Sequence, residues 1–345
     1  MRNESRQSYN EFLGRVAQLN GVSTADTDKA FAVAPSVQQK LENAMQESSE
    51  FLQRINIVPV DEMQGEKLGL SLSGPIASRT NTAEKDRQTR DLTGISARGY
   101  HCQQTNYDSH LKYALIDAWA KFPDFQVRVA RLLAHRQALD RMCIGFNGVS
   151  ISPDTNLAAN PLLQDVNKGW LQKMREEASE RVMNEGKVAG KVVIGPDGDF
   201  KNLDAAVFDA RQLLDPWHRN NPQLVCILGD KLMHDKYFPL VNTTQAPSET
   251  LAADIVISQK RVGGLQAVQV PFFPENGLLI TTLDNLSVYW QRGGRRRYIV
   301  ENPKRNRVED YQSSNDDYVV EDIGLASMVE NIEIVEPQKV EGTEP

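Results

Sequence analysis

Cysteine is scarce in this chain: Cys102, Cys143 and Cys226 are its three thiols among 345 residues. An odd number at wide spacing excludes a disulfide framework and points to a reducing compartment. They form no CxxC pair, and no zinc-ligand spacing with the five histidines, His101, His110, His135, His218 and His234. Long apolar runs are missing as well, since no segment approaches the roughly 18 residues of a membrane span. The opening "MRNESRQSYNEFLGRVAQLNG" has no apolar block followed by small residues and does not read as a secretory signal. Basic excess is also missing. A net charge of −7 argues against a surface that coats nucleic acid uniformly, though not against faces of opposite sign.

Catalytic motifs are absent too. "NEGKVAGKVVIG" has glycines and lysines but not the phosphate-loop spacing. There is no GxSxG elbow, and no histidine sits in an HExxH context. The acidic pairs Asp316-Asp317 and Glu321-Asp322 fall on apparent strands, where neighbours point to opposite faces. They do not converge on one substrate, and a solvated surface explains them. No enzyme activity, cofactor or metal site is expected.

What is present is enough apolar sequence, 40% of residues, for one large domain or two to three smaller ones. Phe12, Leu13, Val16 and Leu19 repeat at helical spacing over residues 1–20, and "GVSTADTDK" then breaks the pattern. Such a helix on a polar tether either folds back on the core or docks on a partner helix. In "APSVQQKLENAMQESSEFLQRINIVPV", Ser36 can cap a helix whose stripe is Val37, Leu41, Met45, Leu52 and Ile55. Pro59 then marks a short strand or extended connector.

Leu68, Leu70 and Leu72 alternate, as do Tyr100, Cys102 and Gln104, and between them lies a polar tip. This spacing predicts a long two-stranded arm, and an isolated hairpin is marginal in water, so something must pack against it. From Ser109 to Phe146 the chain reads as helical, with a stripe of Phe125, Val129, Leu132, Leu133, Leu139 and Cys143. Asn160-Pro161 opens another helix that runs through Trp170 and Met174. Helix and strand signals alternate after Val182, "ETLAADIVISQ" reading as helix, and strands dominate from Gly264. The last residues, "PQKVEGTEP", read as a loose tail. "QRGGRRRY" holds Arg292, Arg295, Arg296 and Arg297. It reads as a solvated hairpin turning at Gly293-Gly294, as a contact for an acidic neighbour, or as a nucleic-acid contact.

Several segments taken in order resemble one family: "NAMQESSEFLQRINIVPVDEMQGEKLGL", "CIGFNGVS", "NPLLQDVNKGWLQKMR", "LAADIVISQKRVGGLQAV", "LDNLSVYWQ" and "RRRYIVENPKRNRVEDYQSSNDDYVVED". They resemble the major capsid proteins of Peduovirus-type tailed bacteriophages, from Met1 to about Glu336. The resemblance implies an α+β chain of the Hong Kong 97-type capsid fold. Residues 1–31 become a scaffold-like propeptide arm, cut by a maturation protease near Phe31 and Ala32. Residues 32–65 form an N-arm and helix, 66–107 an extended loop, and 108–182 a peripheral domain with a long spine helix. Residues 183–265 form an axial domain, 266–336 strands returning to the periphery, and 337–345 a flexible tail.

The implied function is self-assembly, as pentamers and hexamers, into the icosahedral head shell of the virion. A scaffolding protein and a portal protein are implied partners, with double-stranded DNA enclosed without sequence-specific binding. No membrane is involved, and assembly takes place in the host cytoplasm. A weak hairpin then makes sense lying across a neighbouring copy, with Glu84, Lys85, Asp86, Arg87, Arg90 and Asp91 paired between copies. Each exposed pair adds only about 0 to 1 kcal/mol, repeated over the shell. No lysine–asparagine crosslink pair stands out. Two rivals remain from the residues alone: a nucleic-acid-binding protein centred on Arg292 to Arg297, and an α/β enzyme built on 183–265.

Overall fold

The amphipathic start of the chain forms α1, Asn3–Asn20, closed by Gly21 in the left-handed region at φ 67°. The computed structural model describes residues 1–67, 71–72, 77–89, 93–94, 98–119, 122, 124–241 and 260–335. After the tether come β1, Phe31–Ala32, and α2, Pro35–Glu47. Ala34 is the N-cap and Pro35 the first helical residue, so Ser36 lies inside the first turn and not at the cap. A short α3, Glu50–Arg54, leads into β2, Asn56–Val60.

The expected hairpin is present in its described parts. They are β3, Gln64–Lys67, β4, Ser71–Leu72, β5, Thr93–Gly94, and β6, Arg98–His101. β3 pairs with β6 and β4 with β5, both antiparallel. Leu68 and Leu70 lie outside the described residues. β7, Gln103–Asn106, and β8, Ser109–Lys112, follow. β8 corrects the expectation of helix from Ser109, which begins only at α4, Tyr113–Trp119.

The long helix is α5, Phe125–Asn147, about 35 Å at 1.5 Å per residue. Its expected stripe is half right: Val129 and Cys143 are buried, but Leu132 is 48% exposed. The inward face instead carries Gln137 and Arg141 beside Ala134, Ala138 and Met142, so apolar spacing alone pointed the stripe wrongly. The helix expected from Asn160-Pro161 is confined to α6, Trp170–Glu177, because residues 161–169 form turns.

The rest of the chain supplies β9, Val182–Met183, β10, Val192–Ile194, α7, Leu203–Ala210, β11, Val225–Leu228, and α8, Asp230–Val241. The segment "ETLAADIVISQ" lies outside the described residues. Then come β12, Arg261–Val262, β13, Leu265–Val268, β14, Leu278–Thr281, β15, Leu286–Gln291, and β16, Arg296–Asn302. β17, Arg307–Val320, β18, Ser327–Val329, and β19, Ile332–Ile334, complete it.

Two sheets organise the molecule. The seven-stranded one is centred on the 14-residue β17, and the six-stranded one runs β12-β13-β11-β14-β18-β9. β14 and β18 therefore belong with β11, so a boundary at residue 265 does not separate the two sheets. One core joins α2, α3, α5 and α6 to the sheets through Met45, Phe51, Met142, Phe146, Trp170 and Tyr318. Trp170 stacks edge-on to Phe146 and Tyr318 at 5.1 and 5.3 Å between ring centres. Its indole N–H donates to the Ser287 carbonyl at 2.9 Å, satisfying the polar end of a fully buried ring. A second core surrounds β11 with α7 and α8. A third lies under α1.

Candidate functional site

The arm and its seat are the first candidate. α1 turns Tyr9 and Val16 inward, with Phe12 and Leu13 half-buried beside them, against Ile116 of α4, Val129 and Leu133 of α5, Leu111 of β8, Ile299 of β16 and Val308 of β17. A cavity of about 20 Å³ lies between the helix and this floor. Polar contacts fix the helix on its seat. Arg6 forks onto Glu301 at 2.5 and 2.7 Å, and the Tyr113 hydroxyl donates to the same carboxylate at 2.5 Å. The Arg6 hydrogen bond, with Tyr113 adding to it, holds Glu301 below the usual carboxylate range against the opposing effect of burial. The Arg2 backbone N–H donates to Asp117 at 2.9 Å.

The tether returns along the edge of β16. The Ile299 N–H donates to the Thr27 carbonyl at 2.8 Å, and the Val33 N–H to the Arg295 carbonyl at 3.0 Å. β1 pairs antiparallel with β16, Phe31 opposite Arg297 and Ala32 opposite Arg296. Phe31 is buried and Ala32 exposed. The expected cut thus falls on a bond engaged in strand pairing.

The second candidate is the arginine run, and the register corrects the hairpin expectation. Trp290 lies opposite Asp316, and Arg296 opposite Ser313. β7 pairs with Ser313 to Asp316 on the other edge, so β15 and β16 lie end to end along one edge of β17. Residues 291–295 therefore loop out, with Gly293 at φ 68°, a conformation glycine adopts without strain. The hairpin turn itself lies at 303–306, where Asn306 is left-handed.

This loop drives Arg295 inward, where it is 1% exposed. It donates to Gln137 at 2.6 Å and Gln312 at 2.9 Å, and faces Glu42 at 3.8 Å. Arg295 is thus corrected from a contact between copies to a part of its own subunit's interior. Burial lowers its pKa from the usual guanidinium value. Arg297 forks onto Asp310 at 2.9 and 2.7 Å, also within the subunit. Arg296 is exposed, and Arg292 is exposed beside Asp61 at 3.4 Å. The four arginines do not form one basic patch.

The acidic pair is corrected too: Asp316 and Asp317 are 1% and 2% exposed, not solvated. They do point to opposite faces. Asp316 receives Arg141 at 3.1 and 3.2 Å, Ser314 at 2.8 Å and Tyr107 at 3.2 Å, while Arg141 also forks onto Glu42. Burial opposes the charge on Arg141, but Asp316 and Glu42 outweigh it and raise its pKa. Asp317 accepts from Lys173 at 2.8 and 2.9 Å and from the His101 N–H at 2.9 Å. Glu321 accepts from Ser287 and Tyr289, and Asp322 meets His218 at 3.0 Å.

At the hairpin tip, Glu84, Lys85, Asp86 and Arg87 are exposed, and the Glu84 and Lys85 N–H groups donate to the Asn81 carbonyl. Arg90 and Asp91 lie outside the described residues. At its base, Tyr100 packs on Tyr289 at 5.2 Å and Cys102 is buried. Burial pushes the Cys102 and Cys226 thiols up to about 12 and Cys143 up to about 11.

A cleft of about 740 Å³ lies between Arg54, Arg211, Arg261 and Asp284, and no histidine, cysteine or serine lines it. Among the described residues its lining offers the Thr282 hydroxyl and the Asp284 carboxylate but no hydrogen bond between them, and the enzyme reading gains no site there. Sequence reasoning missed Arg6, Glu42, Tyr113, Gln137, Arg141 and Glu301. Arg6 stood among the polar residues of the helical pattern over 1–20, and nothing in the sequence named its partner.

A family model described as phage major capsid protein, P2 family, matches residues 8–332. The capsid protein of Escherichia phage P2 is 49% identical over 342 residues, 97% of this chain and 96% of the relative. The major capsid protein of Serratia phage KSP20 is 43% identical over 345 residues, 98% of this chain and 99% of the relative. Among solved structures, a chain of the satellite phage P4 procapsid that includes the size determination (Sid) protein superposes with a TM-score of 0.81. It is 45% identical, over 97% of this chain and 99% of that one.

Proposed function

We propose how this chain, which belongs to the P2 family of phage major capsid proteins, builds and matures its shell. It is a structural protein of a tailed-phage head, not an enzyme, and its α+β Hong Kong 97-type fold is that of a procapsid subunit. Copies assemble as multimers into the procapsid shell and become part of the virion. The full-length match, at 49% identity, is the observation that carries this.

The finer assignments are our reading. Residues 1–31 act as the propeptide arm, removed by a maturation protease near Phe31 and Ala32. What supports this is that the arm is a separate helix on a polar tether, laid over a surface that a shorter chain would leave bare. Residues 66–107 act as the extended loop, its β7 end held on β17 of its own subunit and its tip lying on a neighbouring copy with Glu84, Lys85, Asp86 and Arg87 in reach of it, and Arg292 and Arg296 serve the same contacts. α5 acts as the spine of a peripheral domain that includes β15 to β17. Residues 183–265, joined by β14, β18 and β19, act as the axial domain that surrounds pentamer and hexamer centres. Scaffolding and portal proteins are the partners in assembly, which takes place in the host cytoplasm, and double-stranded DNA is the cargo.

Intact mass tests the arm. Subunits from particles assembled with scaffold and protease are expected to begin at about Ala32, and full-length subunits in filled heads overturn that part of the reading.

A further inference from the structure

We infer that cutting the arm and releasing it are separate events, because the seat keeps residues 1–31 as a non-covalent ligand after the chain is cut. This rests on the removal of the arm proposed above. The arm's contacts with the body lie on the N-terminal side of the bond: the apolar face of α1, the Arg6–Glu301 fork, the Arg2 N–H on Asp117, and the Thr27 carbonyl on Ile299. Phe31, the last residue of the fragment, is itself buried. On the other side, Val33 remains bonded to Arg295. Across the cut, the Ala34 N–H still donates to the Asn20 side chain at 3.0 Å. Cleavage therefore removes the covalent link and none of these contacts.

What remains is an amphipathic helix in an apolar groove, a recurring mode of peptide recognition. The fit is close: Tyr9 and Val16 are buried in it, and the cavity beside them is about 20 Å³. The groove is composite: α4 and α5 form one wall, and β8, β16 and β17 the other. Sliding the helices against the sheet opens it, whereas cutting the peptide does not. Release of the arm then follows a change in subunit shape.

The bond is also masked. Phe31 and Ala32 are paired with Arg297 and Arg296, so a protease that needs an extended, unpaired substrate reaches it only when β1 lifts from β16.

The test uses assembled particles of the full chain carrying a site-specific protease sequence inserted between Asp28 and Lys29, both exposed in the tether. After cutting, particles are sedimented, and intact mass locates the fragment in pellet or supernatant before and after expansion. The fragment is expected to sediment with unexpanded particles and to leave on expansion. Arg6→Ala, which removes the charged fork, is expected to shorten its retention roughly tenfold. Fragment in the supernatant as fast as it is cut overturns the inference. Equal retention in both variants also overturns it, since that marks a peptide merely trapped by the shell. If the natural protease never removes the arm while the inserted site still gives a retained fragment, the maturation reading fails and the seat stands.

Discussion

Arg141 and Arg295 share a sealed space with Glu42 and Asp316, two cations against two anions drawn from α2, α5, β17 and the 291–295 loop. Removing one partner from such a group leaves a buried charge without compensation, at a cost of about 3–5 kcal/mol. Arg141→Ala is expected to destabilise the unassembled subunit by that amount, read as a lowered denaturant midpoint. Arg296→Ala, on the exposed side of the same run, should stay within about 0.5 kcal/mol. Equal effects would contradict the division of the run into inward and outward arginines. The thiols give a second residue-scale expectation. Cys102, Cys143 and Cys226 are buried with raised pKa values, so iodoacetamide at pH 8 should label none in the folded subunit and all three after denaturation.

Between elements, α5 lies tight against the start of α6. A methyl group added at Gly145 meets the Trp170 ring at 2.2 Å, so Gly145→Ala forces the helices apart. The expected cost is about 1–3 kcal/mol of overpacking, measurable as a lower unfolding midpoint. The arm gives an element its pH dependence. Glu301 has a depressed pKa, so the stability it lends is fully present above its unfolded value of about 4.3 and lost as pH falls through the folded one. A dye placed at Glu4 should keep high anisotropy at neutral pH and lose it on acidification below that range, and Glu301→Gln should flatten the profile. A rise in anisotropy on acidification would contradict the sign. Elements with strong local signals were legible in sequence: α1 and α2 from apolar spacing, β2 around its proline, and the hairpin from alternation. β8 was not, because "SHLK" has no local strand signal and is held by pairing with β17 some 200 residues away, Ser109 opposite Asp310. The burial of Asp316 was hidden for the same reason, since Glu42 and Arg141 reach it only in the folded chain. The glycine pair suggested a hairpin because a chain cannot announce that β17 is long enough to pair with both flanking strands.

At the scale of the molecule, a shell needs heterologous contacts that close, each copy offering one surface and receiving another. The arm covers an apolar groove, and the apolar residues Val127 and Leu132 of α5, with Ile151 and Leu157 in the loop after it, remain exposed. Exposed apolar surface of this kind is what neighbouring copies bury. A chain beginning at Ala32 leaves the groove bare from the start, and it is expected to give fewer or misshapen shells, counted by negative-stain microscopy. Correct shells at native yield would contradict an assembly role for the arm. The most direct test is a cryo-electron-microscopy reconstruction of particles formed when the full chain is expressed with the proposed scaffolding partner. Closed icosahedral shells are predicted, with α1 on its seat and each hairpin lying across a neighbouring copy. A chain that stays monomeric with its scaffold, or a shell whose hairpins fold back on their own subunits, would contradict it.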